Sequence, residues 1–227
     1  MIFRQLFDNE TGTYTYLLGS RGEALLIDPV LDNIDQYLQL LRELELKLKF
    51  AADTHTHADH ITALGELRER TGCVTLMGAQ SRAECVSRRL QDGETFTVGD
   101  LSLRALYTPG HTSESYSFVM HDRVFTGDAL LIRGTGRTDF QNGDAYAAYD
   151  SLFSKLLELP GATLVYPGHD YKGWTVSTIG EERMHNPRLQ VKSAAEYAAL
   201  MNALKLPTPR QMDVAVPANL RCGRTTH

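Results

Sequence analysis

Short apolar runs alternate with stretches whose apolar positions recur every three or four residues. Residues 13–18 and 23–28 read as two strands turned at Gly19-Ser20-Arg21-Gly22. After the polar pair Asp32-Asn33, apolar Ile34, Tyr37, Leu38, Leu41 and Leu44 keep helical spacing, with Glu and Arg on the other face. Residues 48–53 then predict a buried strand, 61–70 a helix and 73–77 a strand, with Cys73 in the core. Closely spaced strands at 101–107, 116–120 and 123–126 suggest a meander. Asp144 is placed to cap a helix that buries Tyr146, Tyr149, Leu152, Phe153 and Leu156 and ends at Pro160-Gly161. One more strand is expected at 163–166. Ser193-Ala194-Ala195-Glu196 reads as a capping box opening a helix to about residue 206, stopped by Pro207 and Pro209 and followed by a loop-like tail. Hairpins and crossovers together predict a layered α/β arrangement.

Composition narrows the class. With 227 residues and 42% hydrophobic content the chain can bury a sizeable core, and no linker or repeat divides it, so one domain over 1–227 is expected, with a short helical and loop extension from about 175. The net charge of −5 and pI near 5.9 give no global field for nucleic acid or anionic lipid. No apolar run reaches the roughly 20 residues of a membrane span, and the first residues lack signal-peptide anatomy. Cys73, Cys85 and Cys222 are widely spaced, which predicts no disulfide framework and no thiolate zinc site. A cytoplasmic protein in a reducing compartment is the expectation.

Chemistry concentrates where strands end. The strand at 48–53 runs into Thr54-His55-Thr56-His57-Ala58-Asp59-His60, that at 101–107 into Thr108-Pro109-Gly110-His111, that at 123–126 into Gly127-Asp128, and that at 163–166 into Pro167-Gly168-His169. In layered α/β folds, ligands collect outside the carboxyl ends of strands, so four such loops can share one cleft. A lone histidine is more often a core residue bonded to a carbonyl. Five His and two Asp, all at strand-end turns, fit a metal that favours imidazole and carboxylate. Spacing alone allows two neighbouring positions, His55, His57 and His111 on one side and Asp59, His60 and His169 on the other, with Asp128 between them.

His-x-His-x-Asp-His with the later Gly-His, Gly-Asp and Gly-His resembles the metallo-β-lactamase superfamily over roughly residues 17–169. That resemblance implies a four-layer αββα sandwich with the site at the sheet edges. The scaffold serves many reactions, so downstream residues must decide. The stretch from Thr126-Gly127-Asp128 through Gly136-Arg137-Thr138-Asp139-Phe140-Gln141 resembles the matching loop of the persulfide dioxygenase (ethylmalonic encephalopathy protein) family. Asn186-Pro187-Arg188-Leu189 and Pro217-Ala218-Asn219-Leu220-Arg221-Cys222-Gly223 do so too. This family resemblance implies an oxidoreductase that converts glutathione persulfide and O2 to sulfite and glutathione on one Fe(II) per chain. It maps the metal onto His55, His111 and Asp128. Asp59, His60 and His169 then serve as catalytic residues that orient water and substrate. Expected partners are glutathione persulfide and O2, a second copy of the chain as a homodimer, and a functional link to a separate rhodanese; nucleic acid and membranes are not among them.

Glutathione carries two carboxylates, so cations are expected in its pocket. Arg137 is the first choice for a bidentate clamp, against the plainer reading of an ion pair with Asp139. Tyr171 resembles a tyrosine at the same place in glutathione thioesterases of the superfamily, and Arg221 and Lys172 are weaker candidates. Trp174 is a candidate for the pocket mouth, and Cys222 reads as a buried thiol rather than a reactive one. The competing reading is a dinuclear thioester hydrolase of the hydroxyacylglutathione hydrolase type, which would use His57 as a ligand. Only 58 residues follow His169, too few for that hydrolase's longer helical extension. A flavin-linked redox module lacks the length for its second domain. An exported β-lactamase lacks its signal.

Overall fold

The chain opens with β1 (Ile2–Asp8), half-buried along the sheet edge, which pairs antiparallel with β2 (Thr13–Ser20); β2 pairs in turn with β3 (Glu23–Ile27). A 3-10 turn and α1 (Ile34–Glu43) cross over to β4 (Lys47–Ala52), parallel to β3. Helix α2 (Leu64–Thr71) crosses to β5 (Val74–Gly78), and β6 (Arg88–Leu90) adds a third parallel partner. The order of this sheet is therefore β1-β2-β3-β4-β5-β6.

The second sheet repeats the scheme. The strands β7 (Thr95–Val98), β8 (Leu101–Tyr107), β9 (Tyr116–Val119) and β10 (Arg123–Gly127) form an antiparallel meander. Helix α3 (Ala145–Ser151) and a π-helical turn at Leu152–Leu156 then cross to β11 (Leu164–Pro167), parallel to β10, and β12 (Ser177–Thr178) closes the edge. The helices α4 (Ile179–His185), α5 (Ala194–Asn202) and α6 (Met212–Asn219) complete the fold. The computed structural model describes residues 1–84, 86–207 and 211–224; Cys85 and Pro209 lie outside them.

Three apolar clusters account for four layers. Tyr16, Leu18, Leu25, Ile27, Phe118 and Phe125 fill the space between the sheets. Leu26, Tyr37, Leu41, Leu64 and Leu67 seal α1 and α2 to the outside of the first sheet, and Leu152, Leu156, Val165, Ile179 and Tyr197 seal the helices to the outside of the second. This is the expected αββα sandwich. Among the described residues, no helix is long and apolar enough to cross a membrane.

Register positions the site. Ile27 lies beside Ala52 across β3 and β4, so the residues that follow, Asp28 and Asp53, leave the first sheet side by side. Gly127 lies beside Pro167 across β10 and β11, which delivers Asp128 and His169 together at the edge of the second. Asp144 caps α3 through bonds from the Tyr146 and Ala147 amides, as expected. Tyr146, however, is 59% exposed, because in the first turn it stands outside the buried face. The helix opened by Ser193 ends at Asn202, short of the expected residue 206, and the tail expected to be loop-like contains α6. Cys222 is disulfide-bonded, and Cys73 is free and buried. The expectations of no disulfide and of a Cys222 thiol are thereby corrected: the Glu84 amide bonds the Leu220 carbonyl at 2.9 Å, so the tail folds back onto a distant stretch of the chain, which spacing cannot show.

Candidate metal centre

Loop 53–62 has no regular structure, so its side chains are placed by bonds from outside it. Asp28, held at φ 52° directly after β3, accepts from the Thr54 amide at 2.7 Å and from its hydroxyl at 3.0 Å. Because that hydroxyl donates to Asp28, it accepts from His55 Nδ1–H at 2.9 Å, which leaves His55 Nε2 as a lone pair. His111 is fixed in the same way: Nδ1–H donates to the Arg137 carbonyl at 2.8 Å. Its Nε2 then faces Asp128 Oδ2 at 3.7 Å. One ligand atom from each of His55, His111 and Asp128 falls within 4.8 Å of the others. Two imidazoles with fixed tautomers and one carboxylate form a donor set that fits a divalent transition metal. The close approach of β10 and β11 here requires glycine at 168, where a Cβ would stand 2.7 Å from Asp128 Oδ1.

The remaining expected residues form a second set beside the first. His169 spans two carboxylates, Nδ1 to Asp128 Oδ1 at 2.7 Å and Nε2 to Asp59 Oδ2 at 2.8 Å. His60 Nδ1 also meets Asp59 Oδ2, at 2.9 Å, and the fully buried Thr13 hydroxyl meets Asp59, His169 and His60. His57 turns away: Nε2–H donates to Asp28 Oδ1 at 3.1 Å. His57 Nδ1 and His60 Nε2 are buried without a hydrogen-bond partner, and His57, Asp59 and His60 together form another group within metal-ligand reach.

Electrostatics follow the same division. Burial would push the Asp128 carboxyl up, but His169, His111 and His55 around it hold it well below the carboxylate range. Burial likewise opposes charge on His169, and the two carboxylates overcome it, raising His169 well above an ordinary histidine. His55 moves the other way, kept neutral by burial and by neighbouring His57 and His111. Burial disfavours charge on His57, yet Asp28 draws it up to about 9, and burial raises Asp53 to about 7.

The residues expected to hold substrate are distributed unevenly. The Arg137 guanidinium is engaged within the protein: it grips both Asp139 oxygens at 2.7 and 2.9 Å, bonds the Pro207 carbonyl at 2.6 Å and lies over Phe140. Its backbone touches the centre through His111, so as a clamp it would have to exchange Asp139 for substrate. Tyr171 is 76% exposed and stacks on His169, with ring centroids 6.0 Å apart. It forms one wall of a cleft of about 590 Å³, shared with Gln5, Phe7, Thr11, Gly12 and Asp170. Lys172 and Arg133 both lie over the ring of Trp174, which is exposed. Arg221 sits on the tail beyond α6, its Nε buried and unbonded, and none of its described bonds reaches the centre. Sequence reasoning missed Asp28 and Thr13. Asp28 carried the same strand-end signal as the other acids, whereas nothing local marks Thr13.

A family model for the metallo-beta-lactamase superfamily matches residues 8–169. The chain is 48% identical over 231 residues to the persulfide dioxygenases ETHE1, mitochondrial, of Homo sapiens and Mus musculus, spanning all of this chain and 90% of each relative. The crystal structure of ETHE1 from Myxococcus xanthus superposes with a TM-score of 0.96 at 54% identity, covering 99% of this chain and all of that one. With the fold and the His/Asp centre they match, these likenesses show that the chain belongs to the metallo-β-lactamase superfamily and, within it, to the persulfide dioxygenase family.

Proposed function

We propose that this protein oxidises glutathione persulfide with O2 to sulfite and glutathione, using one Fe(II) per chain held by His55, His111 and Asp128. The observation that carries the mononuclear reading is the state of His169. Both its nitrogens are taken by Asp59 and Asp128, so His169 is engaged within the protein and leaves no lone pair for a second ion. Bound iron would supply a centre at which persulfide and O2 exchange electrons. The chain's own residues do the rest. Thr54 and the Arg137 carbonyl keep His55 and His111 in the tautomers that present Nε2. His169, bonded to Asp128 and Asp59, fixes both carboxylates and supplies a proton donor beside the centre, and His60 and Thr13 hold Asp59 in turn.

The glutathione body is assigned to the cleft beside Tyr171, whose exposed ring offers an apolar wall and a hydroxyl. Glu10 and Asp170 line that cleft, so its anionic side suits the ammonium of glutathione, whereas Arg137, in the loop after Asp128, suits a carboxylate. The homodimer and the functional link to a rhodanese remain part of the proposal. The unbonded His57 Nδ1 and His60 Nε2 favour a second reading, the dinuclear thioester hydrolase. The two separate by product: glutathione persulfide supplied with O2 gives sulfite under the first, and S-lactoylglutathione gives lactate without O2 under the second.

A further inference from the structure

The loop that carries the histidines is tied down from a distance by one carboxamide. Asn219, the last residue of α6, is 4% exposed. Its Nδ2 donates to the His57 carbonyl at 2.9 Å and to the His60 carbonyl at 2.8 Å, while its Oδ1 accepts from the Thr62 amide at 2.9 Å. Both donors and the acceptor are thus spent on loop 57–62, the segment between ligand His55 and helix α2. Around this point the tail lies directly on the loop. The Gly65 amide donates to the Cys222 carbonyl at 3.1 Å, and Gly223, at φ 84°, passes so close that a Cβ there would stand 2.1 Å from the Thr62 carbonyl.

We propose that Asn219 is a positioning residue for the metal centre, acting through the backbone of His57 and His60. A loop without helix or strand bonds has buried carbonyls that something else must satisfy. Only an amide of this length meets two carbonyls and one N–H at once. Aspartate keeps the acceptor and turns an anion toward two carbonyl oxygens; alanine leaves three groups unbonded. Either change frees the carbonyls at 57 and 60, and with them the aim of His55, Asp59 and His60. Partners that orient ligands from outside typically govern metal affinity by ten- to a hundredfold. The inference rests on the metal-centre reading but not on the reaction, because it is read without turnover.

The test uses the full chain loaded with Co(II), whose visible spectrum reports ligand geometry, and competes the ion away with a chelator. Asn219→Ala and the isosteric Asn219→Asp are compared with Ala215→Gly, which loosens the same helix one turn earlier and leaves the carboxamide intact. Expected is a loss of Co(II) affinity of about ten- to a hundredfold in both Asn219 variants, with an altered spectrum, while Ala215→Gly keeps wild-type affinity despite a lower melting temperature. Wild-type affinity and spectrum in whichever Asn219 variant folds overturn the proposal. So does an equal loss in Ala215→Gly, which would make α6 a general brace. A wild-type protein that binds no Co(II) overturns the metal centre itself.

Discussion

Replacing His57 by alanine separates the two metal readings at one residue, because His55 and His57 share a loop and differ in what holds them. His57 is fully buried, its ring centroid 4.2 Å from that of His55 and 4.3 Å from that of His60. Truncation removes the bond to Asp28, a charge-assisted contact worth about 1.5–3 kcal/mol, but Asp28 keeps both bonds from Thr54. The emptied ring space adds about 1–2 kcal/mol, for roughly 2.5–5 kcal/mol in all. In a chain of this size that is a fall in melting temperature of about 5–20 °C. The Asp28–Thr54–His55 chain of bonds survives, so iron affinity should fall only about ten- to a hundredfold, or about 1.4–2.7 kcal/mol, and dioxygenase activity should remain measurable. His55→Ala instead removes a ligand and should empty the site. The assay is iron per folded chain, measured for each variant well below its own melting temperature. If His57→Ala proves as metal-free as His55→Ala, His57 is a ligand and the reading of a two-His, one-Asp centre is wrong.

Three further perturbations probe other parts of the account. Glu182, fully buried, accepts from the Arg133 amide and guanidinium, Ser177 and Asn186, so Glu182→Ala should cost about 3–5 kcal/mol in denaturant unfolding; a loss under about 1 kcal/mol would show that the loop after Asp128 does not depend on it. Arg137→Lys should raise KM for glutathione persulfide about tenfold or more at unchanged iron content, while Asp139→Asn, which frees the guanidinium, should not raise it. Equal increases in both would make Arg137 a brace. Burial lifts Asp53 from 3.8 to about 7, so between about pH 4 and 7 the folded chain keeps a proton that the unfolded chain has released, and stability must fall as pH rises through that window. In chelator-treated protein, Asp53→Asn should flatten that part of the melting-temperature profile; parallel profiles would place the proton elsewhere.

What was legible in the chain was whatever local pattern controls. Strand β8 matches its expected bounds because alternating apolar residues end at a Pro-Gly turn, and the four strand-end loops announced themselves by His and Asp beside turn residues. Strand β1 escaped notice because an edge strand with both faces partly wet shows no clean alternation. Helix α6 escaped because Pro217 lies inside it and its apolar residues form no marked stripe. The partners of the site residues lay further out of reach. Asn219 meets loop 57–62 across more than 150 residues of chain, and the pairing of Arg137 with Asp139 rather than with a ligand is a choice that spacing leaves open.

One iron, one persulfide and O2 are what the proposed reaction requires, and titration of the metal-free protein with Fe(II) under anaerobic conditions checks that requirement. Each point is then exposed to glutathione persulfide and oxygen, with O2 consumption and sulfite read together. Both should rise linearly and level off at about one Fe(II) per chain, and Zn(II) should support neither. Activity that appears only beyond one equivalent, or Zn(II)-loaded protein that rapidly hydrolyses S-lactoylglutathione, would contradict the proposed reaction.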